Sequence, residues 1–132
     1  MRITPNAAVS TSDQIFGVAY LAPDGTGQYG DVFWQRAKDL QTNSKVNLAS
    51  ILASVMAHEM GHLLLGSNAH TISGIMQAHW GPSELRRISM GSLLFLPEQG
   101  QRMRVRVTQR SSFFMSSGKG SETENLPAST TR

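Results

Sequence analysis

Three polar side chains, His58, Glu59 and His62, lie together in the sequence HEMGH within an otherwise apolar stretch of the chain. On an α-helix, residues four apart lie one turn apart on nearly the same face, so the two imidazoles can bind one metal ion. A helix that buries these groups without a cation would desolvate them with no compensating interaction. The chain has no cysteine, so a transition metal here depends on histidine and carboxylate ligands. The spacing therefore predicts a metal site on a helix.

Zinc fits this chemistry, and we expect one Zn²⁺ ion per chain. Zinc binds imidazole nitrogens at about 2.0–2.1 Å, and a catalytic zinc has three protein ligands and one open position. The ion lowers the pKa of a bound water from near 15.7 toward about 7, and a nearby carboxylate can then take the proton. Glu59 directly follows the ligand His58, so it is the predicted general base and catalytic residue.

The third ligand is open to two interpretations. His70 is one candidate, since it follows the predicted helix closely. Glu84 is the alternative, although a glutamate in the first turn of a helix is also explained by the helix dipole. The remaining histidine, His79, is interpreted as an exposed loop residue.

The segment that carries HEMGH has the pattern of a long buried helix. Its apolar residues cover nearly every face, Asn47 suits the N-cap, and Gly66 suits the C-terminal stop. An irregular loop is predicted after it, and further helices are predicted to begin at Pro82 and Pro97. Arginines alternate with apolar residues over 102–107, which would also suit a strand.

The residues before this helix predict a small amount of sheet. Residues 15–22 form a compact apolar run rich in strand formers, followed by the turn sequence PDGTG. Residues 29–41 predict a short strand or turn that passes into a helix. We therefore expect an α+β fold in which a small sheet packs on the long helix and the C-terminal part is mainly helical. One domain over residues 1–115 and a disordered polar tail over 116–132 are expected.

The charge and composition of the chain limit the classes of partner that we expect. The formal net charge is +3, and Arg102, Arg104 and Arg106 are interpreted as a solvated basic face, because no aromatic residues alternate with them as in a nucleic-acid platform. We expect no nucleic-acid partner and no membrane partner, since no window reaches the length of a membrane span. The first residues lack a signal-peptide pattern, and both a cytoplasmic and a secreted or periplasmic location stay open.

Residues 57–76 resemble the metzincin clan of zinc metallopeptidases, whose pattern is HExxHxxGxxH followed by a turn that contains methionine. The match holds at the first two histidines and the glutamate, whereas Gly66 comes one residue late and His70 comes two residues late. The resemblance implies that the chain turns back at the glycine and brings His70 beneath the metal. It also implies that SGIM is the methionine turn, with Met76 as an apolar floor under the zinc.

The sequence FGVAYLAPDGTGQYGDVFW resembles the edge strand, loop and following strand that precede the active-site helix in matrixin-like metzincins. This resemblance implies that one short segment borders the cleft and pairs with an extended peptide substrate, although an ordinary core strand would have the same pattern. Fewer residues precede it than metzincins use for their sheet, so a reduced sheet is expected. The implied substrate-binding residues are Gly17, Val18, Ala19, Tyr20 and Leu21.

The resemblance extends over residues 15–97 to small uncharacterised bacterial metallopeptidase-like proteins. It implies a zincin-like fold and a zinc-dependent peptidase, with a peptide or protein as substrate. Two alternatives remain: a noncatalytic or degenerate metal-binding module, and a gluzincin-type peptidase in which Glu84 is the third ligand. The presence of Glu59 favours an enzyme, because a structural zinc site has no need of a general base.

Overall fold

The structure, a computed structural model, describes residues 1–6 and 15–117. These residues form an α+β fold with one three-stranded mixed sheet and four helices, which confirms the expected class. The elements in chain order are β1 (Arg2–Thr4), β2 (Gly17–Tyr20), β3 (Tyr29–Phe33), α1 (Trp34–Ser44), α2 (Leu48–Leu65), α3 (Pro82–Ser89) and α4 (Pro97–Ser117).

The sheet has the order β1-β3-β2, with β1 parallel and β2 antiparallel to β3. The sequence predicted β2 and β3 but not β1, whose three residues are too few to show a period of two. Arg2 attaches β1 to the sheet, because its Nε and Nη2 donate to the two carboxylate oxygens of Asp31 at 2.8 and 2.9 Å. This arrangement places β2 at an edge of the sheet.

Helix α2 is the centre of the fold, as its apolar pattern predicts. It packs against β2, β3, α1, α3 and α4. Its N-terminus is capped by Asn47, whose Oδ1 accepts from the amides of Ala49 and Ser50, and its C-cap is Gly66 at φ 63°. A left-handed residue ends a helix with little strain when it is glycine. The largest fully buried side chains among the described residues are Ile51, Val55, Val32 and Met76.

Among the described residues, α2 also has the length and apolar composition of a membrane span. The expectation that no segment reaches that length is therefore wrong. The packing of α2 against the sheet and three helices is nevertheless that of a core helix, and its buried His58, Glu59 and His62 are polar.

The C-terminal part is helical, as expected. Residues 102–107 belong to α4, so the alternative of a strand there is wrong. Helix α4 continues to Ser117 and so includes the first two residues of the expected polar tail. The rest of that predicted tail, residues 118–132, lies outside the described residues.

Candidate metal centre

The last two turns of α2 bring His58 and His62 together. Their ring centroids are 4.7 Å apart, and their Nε2 atoms are 3.0 Å apart. The other ring nitrogen of each residue faces a backbone carbonyl: His58 Nδ1 lies 2.7 Å from Ile75 O, and His62 Nδ1 lies 2.8 Å from Ser67 O. Each ring therefore has a close contact at both of its nitrogens.

These contacts fix the tautomers of the two rings. A carbonyl oxygen only accepts, so we assign a hydrogen to each Nδ1, and each neutral ring then carries a lone pair on Nε2. Two lone pairs thus face each other at 3.0 Å, an arrangement that needs a proton or a metal cation between them. Two nitrogens bound tetrahedrally to one zinc ion would be about 3.3 Å apart, as follows from bonds of about 2.0–2.1 Å.

His70 joins this pair from the loop that follows α2. Its ring centroid lies 4.9 Å from that of His62 and 5.3 Å from that of His58. One potential ligand nitrogen from each ring fits within a group whose atoms all lie within 4.8 Å of one another. The structure thus shows three histidines close enough to hold one metal ion, with His70 exposed and the other two buried.

Glu84 does not belong to this group in the described part of the chain. It serves the N-terminus of α3 instead: its Oε2 accepts from the Gly81 amide at 3.0 Å, and its Oε1 accepts from the Ser83 hydroxyl at 2.7 Å. The hydrogen bond from Ser83 is the main cause that lowers the pKa of Glu84 below its ordinary value. The first-turn interpretation of this residue matches its contacts.

The pKa of each of the three imidazoles is lowered from its ordinary value. Burial lowers the pKa of His58 from 6.5 to about 4, with the neighbouring His62 and His70 acting in the same direction. Burial is also the main cause that lowers the pKa of His62 and of His70. At pH 7 all three rings are therefore in the unprotonated form that binds a metal.

The turn that contains Met76 lies directly against α2. Met76 is fully buried, and a Cβ added at Gly61 would overlap its Sδ and the Phe95 ring. Gly61 directly precedes His62 in the helix, and only a residue without a side chain at this position allows the methionine to approach the helix. Backbone bonds fix the turn: Thr71 N donates to Met76 O at 3.0 Å, and Ile75 N donates to the carbonyl of residue 94 at 2.9 Å.

A cavity of about 280 Å³ opens beside the three histidines. Its walls are mainly apolar, and Glu59 is the carboxylate among its lining residues. Glu59 is only 5% exposed, and burial raises its pKa from 4.5 to about 7. The lining residues are Ile15, Phe16, Gly17, Val18, Ala19, Val55, His58, Glu59, His62, Asn68, His70, Gln77, Ala78 and Trp80.

Three of the five predicted substrate-binding residues, Gly17, Val18 and Ala19, line this cavity. Gly17 touches Glu59 so closely that a Cβ on it would lie 2.8 Å from Glu59 Oε1. The other two residues lie elsewhere: the hydroxyl of Tyr20 donates to Asp31 Oδ2 at 3.1 Å, and Leu21 lines a separate hollow near the end of α2.

Sequence reasoning missed several participants. The carbonyls of Ile75 and Ser67 contact the rings of His58 and His62, but every residue has a carbonyl, so no residue type indicates this role. Trp80 lines the cavity, with its ring 5.8 Å from that of His58. Its buried Nε1 has no hydrogen-bond partner among the described residues. A tryptophan four residues after the methionine was the available signal.

No family model matches this chain, and no curated protein or solved structure matches it either.

Proposed function

We propose that this protein is a zinc-dependent peptidase in which His58, His62 and His70 hold the metal and Glu59 is the general base. The observation that carries the proposal is the pair of Nε2 lone pairs 3.0 Å apart, with a third imidazole beside them. Two buried rings cannot easily share a proton, because burial lowers their pKa. A divalent cation between the two Nε2 atoms would remove the repulsion between their lone pairs.

The donor set fits zinc. Neutral imidazoles suit this borderline ion, and three protein ligands leave one position open, as in catalytic zinc sites. When bound, zinc supplies Lewis-acid polarisation of a water and of a substrate carbonyl. The Nδ1 contacts of His58 and His62 with backbone carbonyls would orient both ligand rings and raise their basicity.

Glu59 is suited to the proton transfers of peptide hydrolysis. A carboxylate with a pKa of about 7 can take a proton from the attacking water and later give it to the leaving amine, because its pKa lies near neutral pH. Its burial beside the cavity excludes bulk water from this exchange. A module that only stored or carried a metal would have no use for such a group.

The edge strand supports an extended peptide as substrate. Among the described residues, the outer edge of β2 has no partner strand, and Gly17, Val18 and Ala19 lie along the cavity. A peptide added to this edge would form backbone hydrogen bonds while its side chains alternate between the cavity and solvent. We accordingly propose that the fold is zincin-like, in a small form with three strands.

Metal analysis of substituted full-length protein tests the ligand set. Wild-type protein stripped with chelator and reconstituted should hold about one zinc per chain, as in three-ligand catalytic sites. His70→Ala should lose the ion, whereas His79→Ala, a matched control at the fourth histidine, and Glu84→Ala should keep it. Retention in His70→Ala together with loss in Glu84→Ala would transfer the chain to a gluzincin-type site.

Cleavage of an unfolded protein substrate tests the activity. Glu59→Gln should keep zinc yet lose cleavage, because the amide cannot accept the proton from water. The effect should be about 10²- to 10⁴-fold, the usual contribution of a general base. Zinc-loaded wild-type protein that cleaves no such substrate would instead favour the noncatalytic metal-binding module.

A further inference from the structure

Arg106 of α4 reaches across to the C-terminal end of α2. Its Nη2 donates to Gly25 O at 3.2 Å, and its guanidinium is packed so closely on Gly66 that a Cβ there would overlap it. Its Nε is buried and has no hydrogen-bond partner among the described residues. The interpretation of Arg106 as part of a solvated basic face is therefore wrong, whereas Arg102 and Arg104 are exposed.

The loop that receives Arg106 is a tight turn directly after β2. Ala22 N donates to Thr26 O at 2.7 Å, and the Asp24 carboxylate accepts from the Thr26 amide at 2.9 Å. Gly25 has φ 77°, and a Cβ on it would lie 2.7 Å from Gly66 O. Two glycines therefore place this turn against the C-cap of α2, and Arg106 spans both.

The end of α2 is electrostatically suited to this cation. The last carbonyls of a helix carry partial negative charge, which favours a positive group nearby. Arg106 therefore brings a permanent positive charge to this helix end from another helix.

We propose that Arg106 is a positioning residue for the metal centre, which rests on the metal ligands of the proposed function. The amides of Gly66 and Ser67 both donate to His62 O, and Ser67 O faces His62 Nδ1 at 2.8 Å. Together, these contacts make the orientation of the His62 imidazole depend on the position of Gly66. By holding Gly66 against the turn at Gly25, Arg106 keeps the Ser67 carbonyl on His62 Nδ1.

Co²⁺ binding by the full chain tests this role, because the visible spectrum of Co²⁺ reports the geometry of its ligands. Arg106→Gln should weaken Co²⁺ binding by about 10- to 100-fold, the usual effect of losing a contact that orients a ligand, and should change the spectrum of the loaded protein. Arg102→Gln, a matched control at an exposed arginine of the same helix, should keep the wild-type affinity and spectrum.

Arg106→Lys is measured beside these variants. Lysine keeps the charge but loses the planar group that spans Gly25 and Gly66, so a smaller loss of about tenfold is expected, at the lower end of such effects. Wild-type affinity and spectrum in Arg106→Gln, or in Arg106→Lys if the glutamine variant does not fold, would overturn the proposal. Wild-type protein that binds no Co²⁺ would instead overturn the proposed function itself.

Discussion

Replacing Glu59 by glutamine should stabilise the metal-free protein at alkaline pH, although it should remove the proposed peptidase activity. The carboxyl is 5% exposed, and burial raises its pKa from 4.5 to about 7. A group whose folded pKa is raised binds more protons in the folded state, so its contribution to stability falls as the pH rises from 4.5 through 7. A difference of this size corresponds to about 3 kcal/mol at pH 8, where the buried group is ionised.

Urea unfolding in the presence of chelator, at pH 8 and at pH 5, measures this effect. Comparing the two pH values removes any constant cost of placing an amide in the site. The gain in the free energy of unfolding from Glu59→Gln should be about 2–3 kcal/mol larger at pH 8 than at pH 5. Glu98→Gln, a control at an exposed carboxylate, should change stability by less than about 1 kcal/mol at either pH.

Saturating zinc should reduce the alkaline gain, because a nearby cation favours the carboxylate form of Glu59. An equal effect of Glu59→Gln at both pH values in chelator would refute the reasoning, since it would mean that burial does not disfavour the ionised carboxyl. Glu59 would then lack the pKa near neutrality on which its proposed role as general base depends.

Three further outcomes are expected. Met76→Ala should lower the free energy of unfolding by about 2–5 kcal/mol in urea, because it empties a fully buried site; a loss below about 1 kcal/mol would contradict this packing. Gly61→Ala should cost about 1–3 kcal/mol, because its methyl would overlap Met76 and Phe95, and a double-mutant cycle should show strong coupling to Met76→Ala. Zinc affinity, measured by chelator competition, should change less than about tenfold between pH 7.5 and pH 6. The reason is that burial already holds the pKa of His58 near 4. A larger loss of affinity would mean that the imidazoles are not held neutral.

The sequence predicted α2 well because its signals are local. Asn47 and Gly66 are caps whose action involves only adjacent backbone groups, and they mark the ends of the helix as observed. The two helical histidines follow from the same geometry. The apolar period of a helix cannot show which other elements will cover it. The packing of β1 and α4 could therefore not be predicted from the sequence.

Arg106 illustrates that limit. Its alternation with Arg102 and Arg104 suggests a uniform basic face, but the docking of α4 on α2 buries part of one arginine and leaves the other two exposed. The carbonyl contacts of His58 and His62 are hidden for a related reason. The contacts are made by the backbone carbonyls of Ile75 and Ser67, and the side chains of these residues do not indicate them.

The position of His70, two residues later than in the metzincin pattern, has a structural explanation that bears on its proposed role as a ligand. Gly66 lies four residues after His62, so α2 continues one residue longer than the metzincin pattern before its left-handed C-cap reverses the chain. One added helical residue moves the exit point by about 1.5 Å along the axis and by about 100° around it. The return path must then be longer, and the second extra residue between Gly66 and His70 supplies that length.

The loop begins and ends beside His62. Ser67 O contacts His62 Nδ1 at the start of the loop, and the ring centroid of His70 lies 4.9 Å from that of His62 at its end. Deleting Asn68 alone should therefore displace His70 and weaken zinc binding, whereas the strict metzincin spacing would be tolerated only if the glycine moved with it.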